Sequence, residues 1–366
     1  MRIKNWGIFV FITGYHLLLV ALLPAYIKAF SWESLLLFFV TFVIAGLSIT
    51  SGYHRLFSHK TYTAKPFYEW VVLLASGLAV QASALRWSND HRLHHSHVDS
   101  DKDPYNIKRG FWYAHILWLF AIDDPLNPRV VADLMKNKRV MFHDRHYALL
   151  TLGVNAAVFL VGCMFMHPIA ALVGGVLLRV FAVHHCTWLI NSWAHVWGSK
   201  TYSKELSAVD NAMLAFFTFG EGYHNYHHTM ANDYRNGVCW FHFDPTKWVV
   251  WTASKLGMVS DLRSFSSIRV QQTLVKKDKF LLLERISREI DETSHELRHK
   301  LEDMSAAFEH KTALLIDKLK ELKESTSENR RMLLIETRQL KQELRAMWKS
   351  WISLTQFTVR RYSIAY

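Results

Sequence analysis

Cysteine is scarce in this chain. Cys163, Cys186 and Cys239 are the only three, and no two of them form a C-x-x-C pair. That excludes a disulfide framework and leaves all three as small apolar fillers. A cleavable leader is not expected either. The first apolar run is too long for the hydrophobic core of a signal peptide, and no small-residue cleavage site follows it. Between residues 276 and 350 there is no proline and no glycine, so nothing in that stretch is designed to break a helix. What the chain has in abundance is apolar and basic side chains. Of 366 residues 51% are hydrophobic and 14% aromatic, yet the net charge is +12. Apolar spans joined by basic loops give that combination. A nucleic-acid binder would also be basic, but long apolar runs would serve no purpose in it, so no nucleic-acid partner is expected. Basic charge beside a bilayer favours anionic headgroups or a phosphate-bearing ligand.

The runs read as four transmembrane helices, since about 20 residues cross the ~30 Å hydrocarbon layer. They are expected at about 6–27, 34–53, 147–166 and 169–190. A further apolar stretch, 67–85, holds Gly77, Gln81 and Ser83 and reads as re-entrant or interfacial. The turns inside the two pairs of spans carry only Lys28. The N-terminus, 54–146 and everything after 195 are rich in Lys and Arg. These basic parts are therefore expected on the cytoplasmic side, with both termini. The fold expected is an all-α integral membrane protein of four transmembrane helices in two hairpins under a cytoplasmic helical cap. Two domains follow: a membrane domain over 1–265 and a charged, coiled-coil-like tail over 276–350. In that tail Leu301, Phe308, Leu315 and Leu322 recur every seven residues, as in one long amphipathic helix able to self-associate. Lys311 and Lys318 on companion positions make its seam imperfect. Leu340, Leu344, Met347, Trp348 and Trp351 offer an alternative use, against a membrane surface.

Histidine supplies the chemistry. His54 and His59 follow the second span. His91, His94 and His95 lie in the polar segment between the hairpins. His224, His227 and His228 close the row, with Gly220-Glu221-Gly222 just before them. On a helix, positions i, i+3 and i+4 share a face, so each cluster is expected to aim its rings at one place. His195 adds a ninth nitrogen, with Asn191 one turn before it. Neutral imidazole suits Fe, Zn, Cu and Ni, and nine donors exceed what one ion takes. Two ions sharing them fits the count. His16, alone in mid-span, reads as hydrogen-bonded to a neighbouring helix. His97, His115, His143, His146, His167, His184, His185 and His242 read as ordinary surface or core histidines. Asp90 and Glu221 flank ligands and can orient their rings from behind. From the residues alone this is a dinuclear metal site at a membrane surface, and neither metal nor reaction is named by it.

The histidine spacings H-x4-H, H-x2-HH and H-x2-HH closely resemble those of the membrane fatty acyl desaturases, the stearoyl-CoA (delta-9) desaturase family in particular. They stand here as HRLFSH, HRLHH and HNYHH. The resemblance extends to Gly-Glu-Gly before the third group, to Thr187-Trp188-Leu189-Ile190-Asn191-Ser192-Trp193-Ala194-His195 and to Lys108-Arg109-Gly110-Phe111. It covers roughly residues 5–260 and leaves out the tail. It implies an oxidoreductase with two non-haem Fe ions that uses O2 and two electrons to place a cis double bond in an acyl chain carried by CoA or by a lipid. It assigns His54, His59, His91, His95 and His228 to one iron. It assigns His94, His195, His224 and His227 to the other, with Asn191 reaching that ion through water. Gln81, Trp87, Thr187 and Trp188 match positions lining the kinked part of a substrate tunnel. Phe38 and Phe42, a helical turn apart, are candidates for its closed end. Asn5, Arg86, Lys108 and Arg109 are candidates for the phosphates of the acyl carrier. Where the family often has an Arg before the second group, this chain reads Trp87-Ser88-Asn89-Asp90-His91, which leaves room for a phospholipid-linked chain. The tail holds no haem motif, so electrons are expected from a separate protein such as cytochrome b5 or a ferredoxin. The expected home is a bacterial inner membrane or the endoplasmic reticulum. A related hydroxylase is the nearest rival, and a zinc-dependent membrane hydrolase the rival from another class.

Overall fold

The structure is a computed structural model that describes residues 2–288 and 292–362. It is helical almost throughout. The two strands are a two-residue pair, Thr63–Ala64 against Val259–Ser260. Two compact units divide the chain. One holds residues 1–201 and 206–264, the other residues 202–205 and 265–366.

The first unit opens with α1, Trp6–Ala29, whose N-terminus is capped by the Asn5 side chain accepting from Ile8 N. Helix α2, Trp32–Leu47, runs without a break into a π-helical stretch, Ser48–Ser58. Then come α3, Pro66–Ser76, and α4, Ala84–His97. Helix α5, Lys138–Arg145, meets α6, Tyr147–Cys163, at a bend of 76°. Helix α7, Pro168–His195, is the longest of the unit. Short helices α8, Ala212–Phe217, α9, His224–Thr229, and α10, Pro245–Lys255, complete it. Among the described residues three helices are long and apolar enough to cross a membrane: Trp6–Ala29, Trp32–Ser58 and Pro168–His195. A fourth is present if the bent pair α5–α6 counts as one span. Helix α3 rises only about 16 Å at 1.5 Å per residue, short of a ~30 Å layer. It ends in an irregular stretch, 77–83, in which Val80 and Ala82 have positive φ. That segment of the 67–85 run is not a span.

Buried polar side chains tie these apolar helices together. His16 on α1 faces His185 on α7 (Nε2 to Nε2, 3.2 Å), and His185 Nδ1 faces His115 Nε2 (3.1 Å). His16 does bond a neighbouring helix. Arg179 on α7 is fully buried and donates to Asn155 on α6 (2.5 Å).

The second unit corrects the expectation of one long tail helix. Three helices are present: α11, Ser267–Ile286, α12, Glu292–Glu324, and α13, Ser327–Arg361. The first break follows Ser287, whose N–H closes α11 on Leu283 O. Residues 289–291 of the expected helix lie outside the described residues. The second break is at Thr326, extended at φ −74, ψ 169. With the chain folded back, the heptad stripe is used inside the unit. Leu301, Phe308 and Leu315 are at most 1% exposed and pack with Leu282, Ile286, Leu344 and Trp351. The seam proposed for self-association is therefore filled by the chain's own helices. Lys311 pairs with Glu343 (2.5 Å) and Lys318 with Glu336 (3.0 Å), both on α13. Those lysines are where the seam opens to water and bridges to the returning helix.

Candidate metal centre

His54 and His59 are five residues apart. On an α-helix five residues turn through about 500°, which would leave the two rings about 140° out of line. The stretch Ser48–Ser58 is π-helical instead, and His59 N donates to His54 O (3.1 Å). A bond from i+5 to i sets the second residue one turn beyond the first. The ring centroids stand 4.8 Å apart. The H-x4-H spacing thus fits the wide helix and not the ordinary one.

Helices α4 and α9 carry the two H-x2-HH groups, and each splits its histidines in the same way. The first and last, four residues apart, differ by only about 40° around an α-helix, while the middle one is about 100° from its neighbour. His91 and His95 join His54 and His59. His94 leaves them and joins His195. On α9, His224 and His228 join His94 and His195, and His227 crosses to the first set. The result is one group of five, His54, His59, His91, His95 and His227, and one of four, His94, His195, His224 and His228. In each, one ligand atom per residue lies within 4.8 Å of all the others. This corrects two expectations. A cluster does not aim all its rings at one place, and His227 and His228 are exchanged between the two groups relative to the division carried over by resemblance. The distances agree: His227 Nε2 is 3.0 Å from both His54 Nε2 and His95 Nε2, and His228 Nε2 is 3.0 Å from His224 Nε2 and 3.3 Å from His94 Nε2.

Acidic groups behind the rings decide which nitrogen faces inward. His94 Nδ1 is 2.8 Å from Asp103 Oδ1, and His54 Nδ1 is 2.8 Å from Glu221 Oε2. A carboxylate only accepts, so in the His94 ring, which is hydrogen-bonded to Asp103, Nδ1 holds the proton and Nε2 presents its lone pair; the His54 contact with Glu221 is close but not a directed hydrogen bond. His195 reaches the same state through a hydroxyl. Its Nδ1 is 2.6 Å from Ser207 Oγ, and Ser207 donates its one proton to Asp99. His195 Nε2 is left buried and without a partner. Burial, and then the neighbouring imidazoles, push His91, His95, His224, His227 and His228 well below the usual histidine range. They are neutral at pH 7, the form that ligates. Lone pairs converging in a dry site repel one another unless a cation sits between them. Nine imidazole donors in sets of five and four fit two iron ions.

Glu221 also receives Arg55 (Nη2, 2.9 Å), which bonds Asp244 on its other side (3.0 Å). Although burial opposes its ionisation, His54 and Arg55 hold Glu221 below the ordinary carboxylate range. The flanking glycines allow this approach. A Cβ on Gly220, at φ +103, would stand 2.5 Å from Asp244 Oδ1, and one on Gly222 would stand 2.2 Å from Ala215 N. Glu221 thus backs a ligand as expected. Asp90 does not: it pairs with Arg86 on its own helix (3.0 Å). Asp99, Asp103, Tyr105, Ser207, Arg55 and Asp244 escaped sequence reasoning. Ser207 stands 108 positions from Asp99, and no spacing rule spans that.

The histidines open onto a cavity of about 610 Å³ whose lining includes His54, His91, His94 and His224. Gln81, Trp87, Thr187 and Trp188 line it. Gln81 donates to Thr187 Oγ1 (2.8 Å) and accepts from Trp87 Nε1 (3.3 Å), and the Trp87 ring stacks on His91. Asn191 lines the cavity. Phe42 lines it beside Gly46 and Phe219. Phe38 stacks on Phe42 at 5.7 Å without lining it. Asn5 and Arg86 are in the lining with Asp90 and Asp123: Asn5 donates to Asp123 (3.1 Å), Arg86 Nε to Asp90 (3.0 Å) and Arg86 Nη1 to Asp124 O (2.5 Å). Lys108 and Arg109 are not in the lining. Arg109 lies over the Tyr113 ring at 3.8 Å.

Comparison with known proteins identifies the family. The fatty acid desaturase family matches residues 30–258. A probable acyl-CoA desaturase of Schizosaccharomyces pombe is 36% identical over 289 residues, 77% of this chain and 59% of the relative. Acyl-CoA desaturase 1 of Saccharomyces cerevisiae is 33% identical over 73% of this chain and 52% of the relative. The chain therefore spans little more than half the length of these two. An sn-2 palmitoyl-lipid 9-desaturase of Nostoc is 33% identical over 71% of this chain and 90% of its own.

Proposed function

The chain belongs to the fatty acid desaturase family, and on that premise we propose that it places a cis double bond at the delta-9 position of a saturated acyl-CoA. The observation that carries this reading is the continuity of the two histidine groups with an apolar cavity inside the one unit. Its volume lies within the roughly 300–1,000 Å³ of small-molecule sites. Two iron ions held by the five-histidine and four-histidine groups would supply the activation of O2. The balance is one O2, two electrons, two protons and two chain hydrogens giving two waters and one carbon–carbon double bond. This chain's own residues do the rest. Phe42 and Phe219 wall the cavity on one side. Gln81, bridging Trp87 and Thr187, fixes the bend that presents one pair of methylenes to the histidines. The rings backed by Asp103 and Ser207 hold their protons at Nδ1 and keep Nε2 free.

The membrane arrangement belongs to the same proposal. Four spans in two hairpins put both termini and the histidine groups on the cytoplasmic side, because the turns within the hairpins carry only Lys28. Electrons come from a separate one-electron carrier, a cytochrome b5 or a ferredoxin. A lipid-linked acyl chain is the second reading, favoured by one observation. The polar side chains at the cavity that were expected to take carrier phosphates, Asn5 and Arg86, are already bonded, and Asp90 and Asp123 stand beside them. Expression in a desaturase-deficient host tests the proposal. New double bonds should appear at one chain position and vanish in His227→Ala. A product unchanged by that substitution, or no new double bond in any lipid class, sinks it.

A further inference from the structure

His54 and His94 meet the carboxylate behind them directly, and His195 reaches its own only through a hydroxyl. It stands at the end of α7, and the segment after it turns back at a bridge between Ser199 and Asp210. Ser207 on that segment comes within 2.6 Å of His195 Nδ1. Asp99, from the turn after α4, takes both protons Ser207 can give: the hydroxyl goes to Oδ1, and the backbone N–H to Oδ2 at 2.8 Å. Asp99 holds this pose with φ +62, in the left-handed region that Asp and Asn tolerate better than other side chains. A carboxylate accepts only, and a hydroxyl has one proton. Ser207 must therefore donate to Asp99 and accept from His195, which carries its proton on Nδ1. His195 is the one member of the four-histidine group that comes from neither α4 nor α9. The neighbours His224 and His228 are held by their own short helix, and His94 by Asp103.

We propose that Asp99 and Ser207 are positioning residues for the four-histidine group, fixing the tautomer and direction of His195 so that this group, and not the five-histidine group, loads its ion. The inference rests on reading the site as an iron centre. The five-histidine group draws on Glu221 and on Tyr105, which is 3.2 Å from His91 Nδ1, and needs nothing from Ser207. Without the hydroxyl, the Nδ1 proton of His195 has no acceptor in a buried site, and the ring is free to carry its proton on Nε2. Loss of a partner behind a ligand typically weakens metal binding about 10–100-fold.

The experiment is anaerobic Fe(II) titration of the full chain purified in detergent, with magnetic spectroscopy of the loaded protein. Wild type should bind two ions per chain that couple to one another. Ser207→Ala should keep one ion at wild-type affinity and bind the second about 10–100-fold more weakly, leaving a mononuclear, uncoupled signal. Ser207→Thr, which retains the hydroxyl, should restore the coupled pair. Asp99→Asn keeps a side chain suited to the left-handed backbone but sets an amide N–H against one of the Ser207 donors, and should resemble Ser207→Ala. Two coupled ions at wild-type affinity in Ser207→Ala would overturn the proposal. So would equal weakening of both ions, or a Ser207→Thr that behaves like Ser207→Ala. Because the readout is metal and not product, a chain that loads two ions yet forms no double bond would refute the desaturase reading and leave this one standing.

Discussion

Arg55→Met tests whether the network behind the five-histidine group is held together by charge. Arg55 is 1% exposed and makes five bonds: two to Glu221, two to Asp244 and one to Tyr234 O at 2.7 Å. Methionine preserves much of the stem and removes every donor. Two buried carboxylates then face each other with the intervening cation gone. Breaking a buried ion pair from one side costs about 3–5 kcal/mol. The lower end applies here, because Asp244 still accepts from Asn236 N, Gly237 N and Lys247 N, and Glu221 from Asn236 Nδ2. At about 2–4 °C per kcal/mol for domains of 150–250 residues, the melting midpoint of iron-free protein in detergent should fall by on the order of 10 °C. Adding Asp244→Asn removes one of the two stranded charges. The double variant should therefore recover part of the loss, a coupling a thermodynamic cycle reads directly. An Arg55→Met protein that melts within a degree of wild type refutes the reasoning, as does a double variant with strictly additive losses.

Gly222→Ala would put a methyl 2.2 Å from the backbone nitrogen of Ala215, a neighbour that has no rotamer to yield. It should cost at least the ~1–3 kcal/mol of overpacking and lower iron content through displacement of α9, read by melting and metal analysis. Phe42→Ala should lengthen the preferred acyl chain, whereas Phe38→Ala should leave product length nearly unchanged, since only Phe42 lines the cavity; product analysis by chain length decides. The five imidazoles pushed down by burial bind fewer protons folded than unfolded. Their contribution to stability is complete above the ordinary histidine range, near pH 6.5, and falls as pH drops below it. Unfolding of iron-free protein between pH 7.5 and 5.5 should therefore show stability declining toward the acid end, and a flat or rising profile contradicts the assigned neutral state. Trp351→Ala empties a fully buried ring from the C-terminal unit and strands Asp278, which it bonds at 3.2 Å. A loss of about 3–5 kcal/mol, seen as early proteolysis of residues 265–362, is expected.

Much of the site could be read from the chain because histidine spacing records helix geometry. The nine histidines singled out in the sequence come together in two groups, and Gln81 and Thr187, named by resemblance and not by spacing, line the cavity beside them. Three things were hidden for definite reasons. The division of His227 and His228 depends on which side of α9 each ion occupies, and adjacent residues on a helix point about 100° apart. The π-helical turn at Ser48–Ser58 has no composition signal, since apolar periodicity over eleven residues serves either helix type. The backing groups Asp99, Asp103 and Ser207 are ordinary polar loop residues until folding brings them behind a ring. The tail misled for a different reason. The stripe Leu301, Phe308 and Leu315 predicts a packed helix without naming its partner, and the Ser325-Thr326-Ser327 break that supplies the partner is three small polar residues in a long charged run.

Imidazole ligates a metal in its neutral form, so electroneutrality at such a site has to be met at arm's length. Glu221, Asp103 and Asp99 provide it from beyond the rings, each screened from the centre by an imidazole or a hydroxyl. The rings present nitrogen to one another, and in the adjoining cavity the acids Glu221, Asp90 and Asp123 share the lining with hydrocarbon. An uncharged gas and a saturated chain enter such a chamber with little hydration to shed, while a carboxylate or phosphate would meet like charge at Asp90 and Asp123 in its walls. The sorting of visitors by polarity is therefore set by where the acids stand as much as by the width of the cavity.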